Sequence, residues 1–598
     1  MITSPIARTI ILLALITSIV FLIGGRPFLL QATPEQNQTG LPTPPFVLRV
    51  YYHSIRDIER LQEFDLWEYN NLKEGYVLVS ADNLIYDRLN GEGWRIEIDP
   101  KATSQLQQMS RKTSLFQEGY RTVDELYEDL TTANEQYPDM TELVAYGHSY
   151  CQSVSGCTTP GGDIQPGYDL LAIRVTNERI SGHSDIQPSG ISQGTKPVFF
   201  LMANIHAREI TTPELAMRFL DWLLEGYSVD ADRTWLIDWH EIWIVPTANP
   251  DGHWLVTLGT NEHYGGAPFT QRKNANRDVD SNGIADCQQW PPASFAQYGI
   301  DLNRNHSFGW GLPGSSSEPC SLLYRGPTEA SELEVAYLEE LIRVLIPDQR
   351  GPELTDAAPK ETTGMFITLH SYSNLILWPW GFLYVDAPNK SDLKAIGDRL
   401  ALFNRYLSCQ PTECLYAANG TSDDWAYGEL GIPAFTFEVG YEFMPPYGEI
   451  DAVQWPANRP AFYYAASIAR TPYKTIHGPD THDISITGSD LYLTLSAVID
   501  DTLNGEHRIA AAAFSIDDPH WVEGVEEVAM TAVDGEFDSS VEYVGATIDV
   551  SGLTPGQRHM VFIRGQDDMG NWGPVSAAYL VPIVPPANQL FFPVNLIP

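Results

Sequence analysis

The chain has 598 residues, 43% of them hydrophobic and 11% aromatic, which is enough for a large core in several domains and too much for a disordered protein. Its 36 basic and 77 acidic side chains leave a net charge of −41, which excludes nucleic acid as a partner, because phosphate binding needs surplus Lys and Arg. Collagen, coiled-coil and multi-span membrane compositions are excluded as well.

Residues 1–32 join Arg8 to an apolar run from Ile10 to Gly25, and a polar, Pro-rich linker follows over 33–45. A positive start and so short a run predict a secretory signal cleaved near Ala32. The alternative is a retained membrane anchor facing outside, since the run falls just short of the roughly 20 residues that span a bilayer. Either way the rest of the chain is expected to be secreted or extracellular, where cysteines form disulfides. Proximity pairs Cys151 with Cys157 and Cys409 with Cys414, which leaves Cys287 for Cys320.

Residues 46–110 read as a small α/β domain. VLRVYY and GYVLVS alternate as strands around helical IRDIERLQEF, and WRIEI follows. The position suits a prodomain, with a permanent accessory domain as the alternative. Over 115–475 strands alternate with amphipathic helices. A helix is predicted at Tyr120–Leu130, and DLLAIRVT and KPVFFLMANI are strands. A second helix is predicted with Thr212 as N-cap and Pro213 at its first position, burying Leu215, Phe219, Leu220, Leu223 and Leu224 on one face. EIWIVPTANP, MFITLHSY and AFTFEVG are further strands, so the fold class is α/β, a mixed and mostly parallel sheet covered by helices. Over 478–583 short strands between Gly, Asp, Asn and Pro predict an antiparallel β-sandwich of immunoglobulin or fibronectin type. Residues 584–598 form an apolar, Pro-rich tail.

Chemistry concentrates in NIHAREITTPE, where His206 and Glu209 share the turn between a buried strand and a helix. A spacing of three lets imidazole and carboxylate converge, and catalytic zinc sites take three protein ligands with a fourth position open. His370 ends another strand and completes a His/Glu/His set. Glu438 closes an apolar strand, where a carboxylate is costly unless paired or used. Arg272 lies in FTQRKNANR, and Asn303 and Arg304 in GIDLNRNHSFGWG.

Together these segments resemble the zinc metallocarboxypeptidases of the carboxypeptidase A and B type, and more closely the bacterial carboxypeptidase T branch. The matching pieces stand in family order: HARE, ANPDG, RKN, DLNRN, YRGPTEASELE, LHSYSNLILWPWG, LYAANGTSDDWAYG and FTFEVG. The resemblance implies one catalytic zinc on His206, Glu209 and His370, with Glu438 as general base and Arg272 stabilising the oxyanion. It implies Asn303, Arg304 and Tyr416 as the clamp on the C-terminal carboxylate of a peptide or protein substrate, with Arg208 as an accessory. Asp423 aligns with the floor of the specificity pocket, where an acid goes with Lys or Arg as the residue removed; an acidic turn with Asp424, or mixed specificity, is the alternative.

One stretch departs from the family. In DVDSNGIAD, Asp278, Asp280, Asn282 and Asp286 reproduce the front of a calcium loop with Gly283 at the turn, although Gln289 stands where that pattern has Glu. A structural calcium ion is expected there, an Asp-rich solvated loop being the alternative. The overall expectation is an exported zinc carboxypeptidase. A cell-wall peptide carboxypeptidase is the second reading, and a non-catalytic binding protein on the same scaffold the third; the sandwich is assigned to cell-surface attachment or stability. The sequence leaves the oligomeric state open.

Overall fold

A computed structural model describes residues 41–109, 112, 115–187, 190–279, 282–488 and 491–582. The signal or anchor segment 1–32 and the tail 584–598 lie outside the described residues. No helix among the described residues is long and apolar enough to cross a membrane.

The first layer is a four-stranded antiparallel sheet of β1 (Phe46–Tyr51), β2 (Asp65–Asn71), β3 (Tyr76–Ala81) and β4 (Arg95–Ile98), in the order β2-β3-β1-β4. Helices α1 (Asn83–Gly91) and α2 (Pro100–Met109) complete it. Asp82 caps α1 by accepting from the Ile85 N–H. Strand β2 was not legible in the sequence. Its first four residues are all buried, so DLWEYNN lacks the alternation of a half-exposed strand, and its register against β3 slips between Leu66 and Asn70. Part of that burial comes from the next layer. Trp67 there sits edge-on to Tyr372 and Phe443.

That next layer holds α3 (Val123–Gln136) and an eight-stranded sheet. Its strands are β5 (Thr141–His148), β6 (Asp169–Val175), β7 (Val198–Ala203), β8 (Glu241–Val245), β9 (Met365–His370), β10 (Leu375–Leu377), β11 (Leu407–Cys409) and β12 (Ala434–Glu438), ordered β11-β10-β12-β9-β7-β8-β6-β5. The four central strands β12, β9, β7 and β8 run parallel, while β5 and β6 pair antiparallel. Every residue of those central strands is buried, as expected of a parallel sheet covered on both faces. The helix after β7, α4 (Thr211–Gly226), buries the predicted Leu215, Phe219, Leu220, Leu223 and Leu224. It starts two residues earlier than the sequence suggests, with Ile210 rather than Thr212 at the cap position. The Thr212 hydroxyl instead accepts from the Asn204 N–H and donates to the Glu209 carbonyl, holding the turn between strand and helix.

The last layer contains β13 (Asp480–Thr487), β14 (Tyr492–Asp500), β15 (Ile509–Ile516), β16 (Val528–Ala532), β17 (Val541–Asp549), β18 (His559–Asp567) and β19 (Ser576–Leu580). They pair antiparallel in the order β13-β14-β17-β16-β15-β18-β19 and enclose their own core, which includes Leu495, Ile499, Phe514, Val544 and Ile563. The described residues from Pro45 onward form one unit. Strand β19 docks on the helix Ala231–Trp239, where the Ala577 N–H donates to Asp232 and the Tyr579 and Thr234 hydroxyls share a hydrogen bond. All three expected disulfides are present: Cys151–Cys157, Cys287–Cys320 and Cys409–Cys414.

Candidate active site

The C-terminal ends of parallel strands are where open α/β sheets place their ligands, and the predicted residues gather there. Strand β7 ends at Ala203, and the chain turns through Asn204 with φ of 57°, a left-handed conformation that Asn tolerates. The Asn204 amide donates to the carbonyls of His206 and Ala207, and its oxygen accepts from Thr247. His206 and Glu209 are thereby fixed at the mouth of β7. His370 is the last residue of β9 and Glu438 the last of β12, and the two are direct register partners on adjacent parallel strands.

His206 Nδ1 lies 2.8 Å from Glu209 Oε1, His370 Nδ1 lies 3.3 Å from Glu209 Oε2, and the two Nδ1 atoms are 3.1 Å apart. A tetrahedral centre with arms of about 2.0–2.1 Å has edges of roughly 3.4 Å, so these donors are spaced to share one zinc ion. They form the one group of three or more His, Cys, Asp or Glu residues among the described residues with ligand atoms close enough for a metal. Burial, and next the charge of Arg272, lower both imidazole pKa values, His370 to about 4, so both rings are neutral and ready to ligate. Asp301 stands 3.3 Å behind His206 Nε2, and the Ser371 N–H donates to Glu209, which orients the donors from outside. Burial alone would raise the Asp301 pKa, but Arg272 and His206 overcome it and hold the carboxylate ionised.

The neighbouring cavity is lined by Arg272, Asn303, Arg304, Tyr416, Asp423 and Glu438 together with His206 and His370. Glu438 leaves Oε2 buried without a hydrogen-bond partner, and burial followed by the charges of Glu209 and Glu68 pushes its pKa well up. Burial opposes the charge on Arg272, yet Asp301 and Glu68 more than compensate and keep it cationic. Arg304 is held from behind by the carbonyls of Gly314 and Asn303, and the Asn303 oxygen accepts from the Ser422 N–H. Asp423 and Asp424 fall in the first turn of a helix, Ser422–Leu430. They separate in role: Asp423 lines the cavity, whereas both Asp424 oxygens accept from the Gly381 N–H, a structural contact.

Two features escaped the sequence. One is Asp301, which opens the DLNRN segment and carries no local pattern that sets it apart from an ordinary turn aspartate. The other is the small N-terminal domain, which reaches into the site. Glu68 on β2 lines the cavity and bonds Arg272 at 2.8 Å, and both side chains are 5% exposed or less. Arg208 points away from the cavity toward the same strand, 3.8 Å from Asp65 and 4.0 Å from Glu68, with its guanidinium over the Phe443 ring. Gln62 and Asn70 donate to the carbonyls of Ala417 and Leu415, beside Tyr416. No local signal marks Glu68, whose role depends on a contact 204 residues away.

The calcium expectation finds no support. The Asp278 carboxylate accepts from the Asn282 and Gly283 N–H groups, and Asp286 accepts from Val279, so these oxygens tie the loop to itself. Asp280 lies outside the described residues.

Comparison with known proteins agrees with this geometry. A zinc carboxypeptidase family model matches residues 126–455, more than half of the chain. Carboxypeptidase A2 of Rattus norvegicus is 31% identical over 268 residues, covering 43% of this chain and 55% of its own length. Carboxypeptidase B of Astacus astacus is 30% identical over 267 residues, covering 43% of this chain and 75% of its own. The chain thus spans about half the length of the first of these relatives. Among solved structures, thrombin-activatable fibrinolysis inhibitor superposes with a TM-score of 0.50 at 21% identity, over 71% of this chain and 98% of that one. Carboxypeptidase A from Helicoverpa armigera gives 0.50 at 19% identity, over 70% and 97%. These likenesses establish the shared fold, and with the extent of the family match they make the chain a member of the zinc carboxypeptidase family.

Proposed function

We propose that this protein is an exported zinc-dependent carboxypeptidase that hydrolyses the last peptide bond of proteins and peptides. The observation that carries the proposal is the convergence of His206, Glu209 and His370 beside Glu438 and Arg272 in one cavity. Zinc, when bound, supplies Lewis-acid activation of water and of the scissile carbonyl. Glu438 takes a proton from the attacking water and returns it to the departing amine as the C–N bond breaks. Arg272 stabilises the negative charge that develops on the carbonyl oxygen. Arg304, with Asn303 and Tyr416, receives the free C-terminal carboxylate, which limits cleavage to the last residue. Asp423 favours Lys or Arg at that position through charge complementarity in a buried pocket. Because Arg208 faces β2, its support for substrate begins only once that strand has moved away.

The domain over 46–110 acts as a removable plug. The support is Glu68 on Arg272 together with a remaining space of about 40 Å³, room for no more than a few waters at roughly 10–15 Å³ each. The test is a panel of peptides that differ only in their last residue, assayed on the chain before and after limited proteolysis near residue 112, with and without a chelator. Release of C-terminal Lys and Arg that needs both processing and zinc is the expected result. Activity that survives chelation would overturn the metal mechanism, and equal release of Leu and Phe would overturn the role of Asp423.

A further inference from the structure

A second cavity, of about 530 Å³, opens between the catalytic layer and the β-sandwich, within the roughly 300–1,000 Å³ usual for small-molecule sites. Its charge is opposite to that of the chain. Acidic residues outnumber basic ones by 77 to 36 in the sequence, yet no Asp or Glu lines this cavity, whereas Lys360, Arg470, Lys474 and Arg564 do. Three of these cations have acids behind them: Lys360 meets Asp392, Lys474 meets Glu361 and Arg564 is forked onto Glu527.

Arg470 differs. It makes no ion pair among the described residues. One of its Nη atoms donates to the Trp239 carbonyl, and its Nε is buried without a partner. Burial draws its pKa down to about 10 with no carboxylate opposing the shift. Arg470 is half-buried, with its Nε fully covered, and no group among the described residues balances its charge, so an anion in the cavity is the natural counter-ion. His240, which lines the same cavity, is fully buried; the Leu236 carbonyl lies near its ring, but neither ring nitrogen makes a well-aligned hydrogen bond. Neutral imidazole always carries one N–H donor, and on His240 no well-aligned partner takes it, so it is available to an occupant. The guanidinium of Arg470 lies 4.1 Å over Trp521, and that of Arg564 lies 4.0 Å over Trp572. Such stacking holds each guanidinium plane in place; the Nε edge of Arg564 is taken by Glu527, whereas that of Arg470 is left for an oxyanion.

We propose that this cavity binds a small anion through a carboxylate, sulfate or phosphate group, with Arg470 as the counter-charge and His240 as a neutral donor beside it. The tryptophans form walls for an apolar body. Because residues of both layers line the cavity, an occupant would also bind the sandwich to the catalytic layer.

The test uses the full chain in thermal melting and titration calorimetry. The probes are inorganic phosphate, sulfate and phenylacetate, each against sodium chloride at matched ionic strength. A saturable rise in melting temperature is expected, with affinity weakened about tenfold or more by Arg470→Gln and less by Arg470→Lys, which keeps the charge and loses the fork. If Arg470→Gln fails to fold, Arg470→Lys and His240→Phe carry the same reading. Arg304→Gln should leave the binding intact, which separates this cavity from the carboxylate clamp of the active site. Phosphate and sulfate binding as well as phenylacetate would support a compact oxyanion site, and phenylacetate alone would support an aromatic carboxylate. No effect beyond chloride, an undiminished effect in Arg470→Gln, or loss of binding in Arg304→Gln would overturn the proposal.

Discussion

Glu68→Gln offers the most direct test of the plug, because it removes one charge and almost no volume. The bond from Arg272 to Glu68 is 2.8 Å long between side chains that are 2% and 5% exposed. Losing one partner of a buried ion pair costs about 3–5 kcal/mol when the other charge is stranded. Arg272 is not stranded, since it keeps Asp301 at 3.0 Å. The loss is therefore nearer that of one charged hydrogen bond, about 1.5–3 kcal/mol. At about 1.4 kcal/mol per decade, the undocked fraction should rise roughly tenfold to hundredfold. Docking is not abolished, because Gln62, Asn70 and Trp67 still hold the domain. With the domain docked, the space of about 40 Å³ excludes a C-terminal side chain, so peptide hydrolysis by the intact chain reports the undocked fraction. The assay compares intact and processed forms of parent and variant. The intact variant should be about ten to a hundred times faster than the intact parent, and the processed forms should be equal. An intact parent already as fast as its processed form, or an intact variant no faster than the parent, would refute the reasoning.

Four further outcomes are expected. Glu438→Gln in the processed form should keep stoichiometric zinc by atomic absorption while turnover falls about 10²- to 10⁴-fold; retained turnover would remove Glu438 as the base. Asp423→Ser should lower the preference for C-terminal Lys or Arg over Leu by about tenfold or more, read as a ratio of kcat/KM values. Asp424→Ser should instead lower the melting temperature, because Asp424 is bonded to the Gly381 N–H. Glu334 is fully buried, and burial with the charges of Asp251 and Glu332 raises its pKa from an ordinary 4.5 to about 8. Its protonated form therefore contributes stability that is complete below about pH 4.5 and is lost as pH rises through about 8. Glu334→Gln should flatten the fall in melting temperature between about pH 5 and 9, and an unchanged slope would contradict this.

What the sequence disclosed follows from what is chemically local. His206 and Glu209 lie three residues apart on one turn, and His370 and Glu438 end strands whose apolar character is visible in the chain. Each such segment has a local reason to be read as it is. Glu68, Asp301 and Arg470 have none, because their roles arise only when segments distant in sequence pack together. The calcium expectation went without support for the opposite reason. Asp and Asn at alternate positions suit an ion, but they equally suit a loop whose carboxylates accept its own N–H groups, as Asp278 and Asp286 do. Thr212 shows the same ambiguity on a smaller scale: a residue type favoured as a helix cap spends its hydroxyl on the turn that positions the metal donors.

The acidity of the plug follows from the charge of the site it covers. Arg272 and Arg304, with a divalent ion once bound, face the carboxylates Glu209, Asp301 and Asp423, while burial favours the neutral form of Glu438. That tally leaves about one positive charge, which a substrate neutralises with its C-terminal carboxylate. Glu68 supplies the same compensation from within the chain. Asp65 beside Arg208 adds less, because burial raises its carboxyl pKa to about 6. Charge, and not only bulk, therefore sets which strand can dock. A cation at position 68 would meet Arg272 and Arg208 in a buried space, where like charges are strongly penalised. Glu68→Lys should leave the intact chain as fast as the processed enzyme, whereas Glu68→Gln should only raise the undocked fraction. Equal rates for the two intact variants would mean that the contact excludes substrate by shape alone.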